Sequence, residues 1–203
     1  MKATIKNTMM FDSIAPIYGL FYNYQKKMYG SVLEKVEKVL KMDQYKSVLD
    51  VGCGTGALCS VLADRGMDVT GVDPAGKMLA IAMKKQKGKG ITLIKANVLG
   101  GLPFEDDSFD IAIASYVAHG MDSKDRKILY AEMGRVARHL AIICDYNQNR
   151  SRMTDFIESL EKGDYFNFIK DARCEMNEAF REVRVIDVAK RAALYICKPV
   201  SGE

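Results

Sequence analysis

From residue 31 onward, apolar positions follow two alternating rhythms, one with the 3.6-residue period of a helix and one of short β-branched runs. Ser31 and Glu34 form a capping box, which predicts a helix opening there with Val32, Leu33, Val36, Val39 and Leu40 as one apolar stripe. Five short runs read as strands: Lys46–Val51, Met67–Val72, Ile91–Lys95, Phe109–Ser115 and Ala141–Tyr146. Their alternation with helices is the signature of a parallel sheet covered on both faces. Helical patterns over Ala57–Arg65, Pro74–Lys87 and Ser123–Leu140 separate them, Gly66 closes the first, and Gly100–Ser108 reads as loop. Asn147–Ala179 is polar and helical. The β-rich runs Arg181–Ala189 and Arg191–Pro199 then follow with only Lys190 between them. So short a connection forces an antiparallel pair, because a parallel return needs a crossover of about a dozen residues or more. The pattern predicts an α/β, doubly wound sheet in a single domain spanning 1–203, with a helical insertion over 147–180 ahead of a terminal hairpin.

Composition narrows the class. A chain of 203 residues, 48% apolar, can bury a core without staples. Its five cysteines (Cys53, Cys59, Cys144, Cys174, Cys197) show no C-x-x-C pair and no histidine-rich neighbourhood, so neither a disulfide framework nor a metal site is expected. The polar opening M-K-A-T-I-K-N-T-M-M is no signal h-region, and no run reaches the roughly 18 apolar residues of a membrane span. A cytoplasmic protein without membrane insertion, monomer or homodimer, is expected. A net charge of +4 is too small to imply nucleic acid binding without a local basic cluster. The one cluster, K-K-Q-K-G-K-G at 84–90, reads as lysines on a helix C-terminus with Gly88 as the C′ residue, or as a phosphate patch.

Val48–Gly56 reads V-L-D-V-G-C-G-T-G, a strand end that delivers Asp50 and then Gly52, Gly54 and Gly56 at alternate positions. Glycines directly after a buried strand let the backbone turn sharply and approach a ligand with no Cβ in the way. A dinucleotide loop is spaced G-x-G-x-x-G, so this G-x-G-x-G string with an upstream acid points away from NAD. Together with the following strand ending at Asp73, it resembles motif I of the class I S-adenosylmethionine-dependent methyltransferases. The resemblance implies a three-layer Rossmann-like doubly wound sheet of seven strands with the last antiparallel, and S-adenosyl-L-methionine as cofactor with S-adenosyl-L-homocysteine as product.

Carried over residue by residue, the resemblance places Asp50 on the cofactor's amino end and Gly52, Cys53, Gly54 and Gly56 against its amino acid portion. Asp73 lies 23 positions after Asp50 (73 − 50), where an acid accepts from the ribose hydroxyls; it can equally cap the next helix. G-V-D-P-A-G-K-M-L (71–79) resembles the second motif, with Pro74 and Met78 as walls of the adenine pocket. K-A-N-V-L-G-G-L-P-F-E-D-D-S-F-D (95–110) resembles the third. Asn97 stands there where an Asp is usual and would accept the adenine amino group as a neutral partner, the Val98 amide completing the contact. Asp110 reads as structural. Beyond the fourth strand, S-Y-V-A-H-G-M (115–121) brings Ser115, Tyr116 and His119 to the ligand-facing edge. His119 is either a general base or a residue packed beneath the cofactor. His139 reads as structural.

Methyl transfer needs an acceptor lone pair held in line with the C–S bond, and positioning alone can supply roughly 7–11 kcal/mol, so no dedicated nucleophile or metal is required. Acceptor choice then falls to parts outside the sheet. F-D-S-I-A-P-I-Y (11–18) resembles the opening of quinone and related small-molecule methyltransferases, with Gly19 in place of a final Asp. Residues 1–30, rich in aromatics, are expected to form a helical lid with Tyr18 and Tyr22 touching the ligands, or a helix packed on the domain. Asp145 and Tyr146 end the fifth strand facing the substrate, and Phe156, Tyr165, Phe166 and Phe168 are candidates for an apolar pocket. No N-P-P-Y string and no base-stacking pattern appears, so the expected partner is a small-molecule methyl acceptor, not nucleic acid. The alternative is a catalytically silent methyltransferase fold that binds cofactor or a partner without turnover.

Overall fold

The computed structural model describes residues 2–37, 39–150 and 163–200, with side chains from residue 9 onward. Its elements are α1 (Lys2–Leu20), α2 (Tyr22–Glu37), β1 (Ser47–Val51), α3 (Ala57–Ala63), β2 (Asp68–Asp73), α4 (Gly76–Lys85), β3 (Thr92–Lys95), β4 (Phe109–Ser115), α5 (Ser123–Val136), β5 (Ala137–Tyr146), α6 (Tyr165–Ala179), β6 (Glu182–Ala189) and β7 (Ala192–Lys198). The seven strands form one mixed sheet in the order β3-β2-β1-β4-β5-β7-β6. β1 with β2, β2 with β3 and β4 with β5 pair in parallel, while β7 runs antiparallel to both β5 and β6. This is the expected α/β, Rossmann-like sheet with its last strand reversed.

Within the chain, residues 1–97 and 98–203 form two compact units. In the first, β1 and β2 are buried along nearly their whole length, as parallel strands covered on both faces must be. The two N-terminal helices differ from the capping-box expectation, because Ser31 lies inside α2 and the break falls at Phe21, whose amide bonds to the Tyr18 carbonyl (3.1 Å). α1 packs along α4. Ala15 shares a buried cluster with Ala75 and Met78, with Ile14, Tyr18 and Ile81 around it, and Asp12 Oδ1 accepts from the Lys77 amide (2.8 Å) in the first turn of α4.

In the second unit, α5 is capped by Asp122, whose side chain accepts from the Asp125 amide (2.9 Å). It ends at Val136, and residues 137–140, expected to be helical, are strand. Val136 and Leu140 have the i, i+4 spacing of a helix, but both Ala137 and Leu140 find partners on β4 across a bulge between Phe109 and Ile111. Arg135 ties α5 to the preceding loop by donating to the carbonyls of Phe104 (2.7 Å) and Leu102 (3.1 Å) and pairing with Glu132 and Asp106. Glu132 in turn accepts the Leu102 amide (2.7 Å), and the Arg135 carbonyl accepts from Asp107 (2.9 Å). Asp110 sits near Arg138 (3.6 Å) and His139 (4.0 Å), which agrees with structural roles for Asp110 and His139. Phe156 and the segment 151–162 lie outside the described residues. Of the aromatic residues after them, Tyr165 and Phe168 are core and Phe166 is exposed.

Arg135→Ala leaves two buried-loop carbonyls and Glu132 without their donor, so it is expected to lower unfolding free energy by about 1–3 kcal/mol. Arg138→Ala, which loses an exposed contact, is expected to change it by less than about 0.5 kcal/mol. Urea denaturation of the two variants side by side checks the difference.

Candidate functional site

In the first unit, the residues following β1 and β2 build one loop system. Gly52, Gly54 and Gly56 have φ of 76°, 53° and 76°, and all lie in the left-handed region open to glycine. The Gly52 and Cys53 amides both donate to the Val72 carbonyl (2.8 and 3.0 Å), which folds the loop back over β2. Asp73 clamps it from the other side, its Oδ2 accepting from the Gly54 amide and its Oδ1 from the Ala75 amide, each at 2.8 Å. Burial raises the Asp73 carboxyl above its ordinary value and the two N–H donors oppose that rise. A carboxylate has about four lone-pair sites, so ribose hydroxyls and both amides can be served together.

Asp50 differs. It is 1% exposed, and the Cys59 thiol donates to its Oδ2 at 3.1 Å. Burial pushes its carboxyl up to about 7, with the nearby Asp73 charge adding to the rise. The Cys59 thiol is held well above its ordinary value by its bond with Cys53, by burial and by the Asp50 charge, so it remains a donor. A desolvated carboxylate that meets a thiol and no cation among the described residues suits a ligand that brings an ammonium group. Beside Gly54, a Cβ would meet nothing within 4 Å, so the loop leaves open space where a ligand backbone can approach. The cradle therefore fits the amino acid portion of S-adenosylmethionine.

Gln86 escaped the sequence reading, because it lies in the lysine run and carries no motif. It is buried, its Nε2 donates to the Gly56 carbonyl, and a Cβ on Gly56 would stand 2.5 Å from that nitrogen. Gly56 is thus demanded by φ and by contact with α4.

The other residues assigned from sequence are placed as follows. Pro74 is partly exposed and Met78 is buried in the α1–α4 cluster, with Tyr18 packed against it. Tyr22, assigned to substrate, is 5% exposed and lies under Lys85 (Nζ 5.3 Å from its ring centroid), at the opposite end of α4 from Ala75 and Met78. Asn97 follows β3 and is partly buried. In the second unit, Val98 is buried in a single 3₁₀ turn and Ser115 ends β4 opposite Cys144.

Also in the second unit, four assigned residues come together. Asp145, fully buried at the end of β5, accepts from His119 Nδ1 (2.8 Å), from the His119 amide (3.2 Å) and from the Tyr146 amide (2.8 Å). Tyr116 and Tyr146 flank the imidazole, with ring centroids 6.3 and 4.9 Å from it. Tyr116 has φ of 54°, a conformation that costs a non-glycine residue energy and that concentrates at functional sites. Its amide donates to the Cys144 carbonyl (2.8 Å), so the strain is held by the sheet. With Nδ1–H directed to a carboxylate, the imidazole carries its lone pair on Nε2, the tautomer a general base needs.

Comparison with known proteins agrees. Residues 49–144 match the methyltransferase domain family Methyltransf_11. Demethylmenaquinone methyltransferase of Thermus thermophilus is 32% identical over 120 residues, covering 53% of this chain and 50% of that protein. Among solved structures, a SAM dependent methyltransferase from Aquifex aeolicus superposes with TM-score 0.63 at 22% identity over 81% of this chain and 89% of that one. Magnesium protoporphyrin IX methyltransferase from Synechocystis PCC 6803, with bound SAH, gives TM-score 0.62 at 18% identity over 88% and 87%. Motif, sheet order and these matches liken the chain to the class I S-adenosylmethionine-dependent methyltransferases, the family match covering a little under half of it. It spans about half or less of the length of the relatives it first matches. Among the described residues, no helix is long and apolar enough to cross a membrane.

Asp50 generates a pH prediction. Its folded value of about 7 exceeds the ordinary 3.8, so the folded state holds its proton more tightly than the unfolded chain. Stability is therefore lost as pH rises through that window, at a slope approaching 1.4 kcal/mol per pH unit for this one group. Asp50→Asn is expected to gain on the wild type between about pH 4 and pH 7 in urea midpoints, and to weaken the thermal shift given by S-adenosylmethionine. Parallel pH curves for the two proteins would contradict the assignment.

Proposed function

We propose that this chain transfers a methyl group from S-adenosylmethionine to a small organic acceptor that loses a proton in the reaction, with His119 as the base. The observation that carries the reading is the His119–Asp145 pair. Bound, the cofactor supplies an electrophilic methyl carbon on a sulfonium, and leaves as the neutral thioether. Asp50 and the open side of the 52–56 loop at Gly54 would hold its amino acid portion, Asp73 would hold the ribose, and Pro74, Met78, Asn97 and Val98 would serve the adenine.

On the acceptor side, Asp145 fixes the imidazole in one tautomer and stabilises the imidazolium that forms when Nε2 takes the acceptor's proton. The acceptor's lone pair makes the new bond to carbon as the C–S bond breaks, so atoms and charge balance with the proton on His119. A base matters only where the acceptor is protonated near neutral pH, which favours a hydroxyl or other weakly acidic group. Tyr116 and Tyr146 beside the imidazole suit a flat, apolar acceptor, and a quinol-type molecule belongs to that class, in keeping with the name of the Thermus relative. Tyr18 joins this reading as part of an N-terminal lid. Tyr22, beneath Lys85, is left to packing.

Thermal denaturation with S-adenosylmethionine, S-adenosylhomocysteine and NAD in separate wells tests the cofactor. At about 100 times Kd a true ligand adds roughly 2.7 kcal/mol of stability, and a shift is expected with the two adenosyl compounds alone. His119→Gln is expected to retain that shift while losing about 10²–10⁴-fold in transfer to hydroxyl acceptors. Full activity in this variant would leave positioning as the sole catalytic device, and bound cofactor without transfer to any acceptor would favour a silent fold.

A further inference from the structure

We propose that Gly163 and Arg126 are positioning residues for the imidazole of His119; the inference rests on the reading of His119 as a base. His119 sits on a single 3₁₀ turn, Ala118–Gly120, closed by the Met121 amide donating to the Ala118 carbonyl (3.1 Å). A turn this short has little rigidity of its own. Asp145 grips the turn at the ring and at the backbone amide, and two further contacts hold it from other directions.

The first is Arg126, on α5. Its side chain is fully buried, and Nη1 donates to the Met121 carbonyl (2.6 Å) at the end of the turn. The same nitrogen donates to Asp164 Oδ2 (2.8 Å), while Nε and Nη2 fork onto Glu175 of α6 (2.6 and 2.8 Å). The Phe168 ring lies 5.9 Å from the guanidinium carbon. Every described contact of this cation thus joins the end of the His119 turn to α6 or to the residue preceding it. Burial acts to raise the Glu175 carboxyl, but the bidentate bonds from Arg126 outweigh it and hold the carboxyl below its ordinary value.

The second contact is steric. A Cβ placed on Gly163 would stand 3.1 Å from Gly120 Cα and 3.5 Å from the His119 carbonyl oxygen, both backbone atoms. What demands glycine here is the close approach of two backbones. The segment Gly163–Asp164 therefore backs the His119 turn while Arg126 hooks its end, and together with Asp145 they set the position of the ring. A catalytic group must be held within about 0.5 Å and 10–20° of its working geometry. A methyl group at residue 163 moves the turn by a few tenths of an ångström, which is on that scale.

The test uses the fact that the chain has two histidines, His119 and His139. Long-range ¹H–¹⁵N spectra of the imidazoles, recorded across a pH titration, report tautomer and midpoint for each without any acceptor, and His139 serves as the internal standard. In the wild type the neutral His119 ring is expected to carry its proton on Nδ1. In Gly163→Ala, the His119 midpoint is expected to move by about half a pH unit or more, or the tautomer preference to weaken. His139 and the thermal shift with S-adenosylmethionine should stay unchanged. Arg126→Lys, which keeps the charge but cannot make the forked contacts, is expected to act in the same direction and provides a second reading should the first variant fold poorly. Unchanged His119 tautomer and midpoint in whichever variants fold would overturn the positioning role and leave the base assignment standing. A wild-type ring protonated on Nε2 instead would remove the base reading and this inference with it.

Discussion

Buried carboxylates at the ends of parallel strands are the feature on which the rest of the site depends. A carboxylate taken out of water must be hydrogen-bonded or neutralised. β1, β2 and β5 each deliver one, as Asp50, Asp73 and Asp145. Asp73 and Asp145 each organise a loop that follows a strand in their own unit, while Asp50 meets a thiol on α3. Asp73 collects the Gly54 and Ala75 amides, Asp145 collects two amides and an imidazole, and Asp50 has a thiol. The differences in satisfaction separate the roles. Asp73 and Asp145 are anchors for the loops beside them, whereas Asp50 is a poorly compensated carboxyl.

Such a site works against the stability of the empty protein. The Asp50 carboxyl is raised to about 7 by the same burial that prepares it for an ammonium group, and Tyr116 is kept at positive φ beside the proposed base. Strain and desolvation of this kind persist where surrounding structure over-determines them. Here that structure is the β4–β5 ladder under Tyr116 and the β1–β2 ladder under the glycine loop. Contacts of small atoms matter as much. A Cβ at Gly71 would lie 2.9 Å from the sulfurs of both Cys53 and Cys59, so the strand passing under the loop must be bare at that point.

Much of this was legible before any coordinates. The alternation of short β-branched runs with helices pointed to the parallel strands, and a one-residue connection to the closing antiparallel pair, since a parallel return needs a long crossover. Local rules failed where two elements competed for one pattern. Val136 and Leu140 fit a helix as well as a bulged strand, and only the β4 partners decide. Ser31 and Glu34 have the letters of a capping box, but Tyr22, Leu33 and Val36 bury one continuous helix through them. Tyr22 has no local pattern that would announce its burial under Lys85.

Glycine spacing and the acids at strand ends, by themselves, determined the positive-φ loop after β1 and the carboxylates beside it and carried the family resemblance, because backbone conformation and hydrogen-bonding type are written in residue identity. Tertiary structure alone decided that His119 meets Asp145, 26 residues away, that Gln86 closes on Gly56, and that Arg126 reaches Asp164 and Glu175. Those partners share no local pattern; they are joined by loop lengths and by the register of the strands that carry them. Chemistry at this site therefore depends on distances between elements, which no short stretch of sequence encodes.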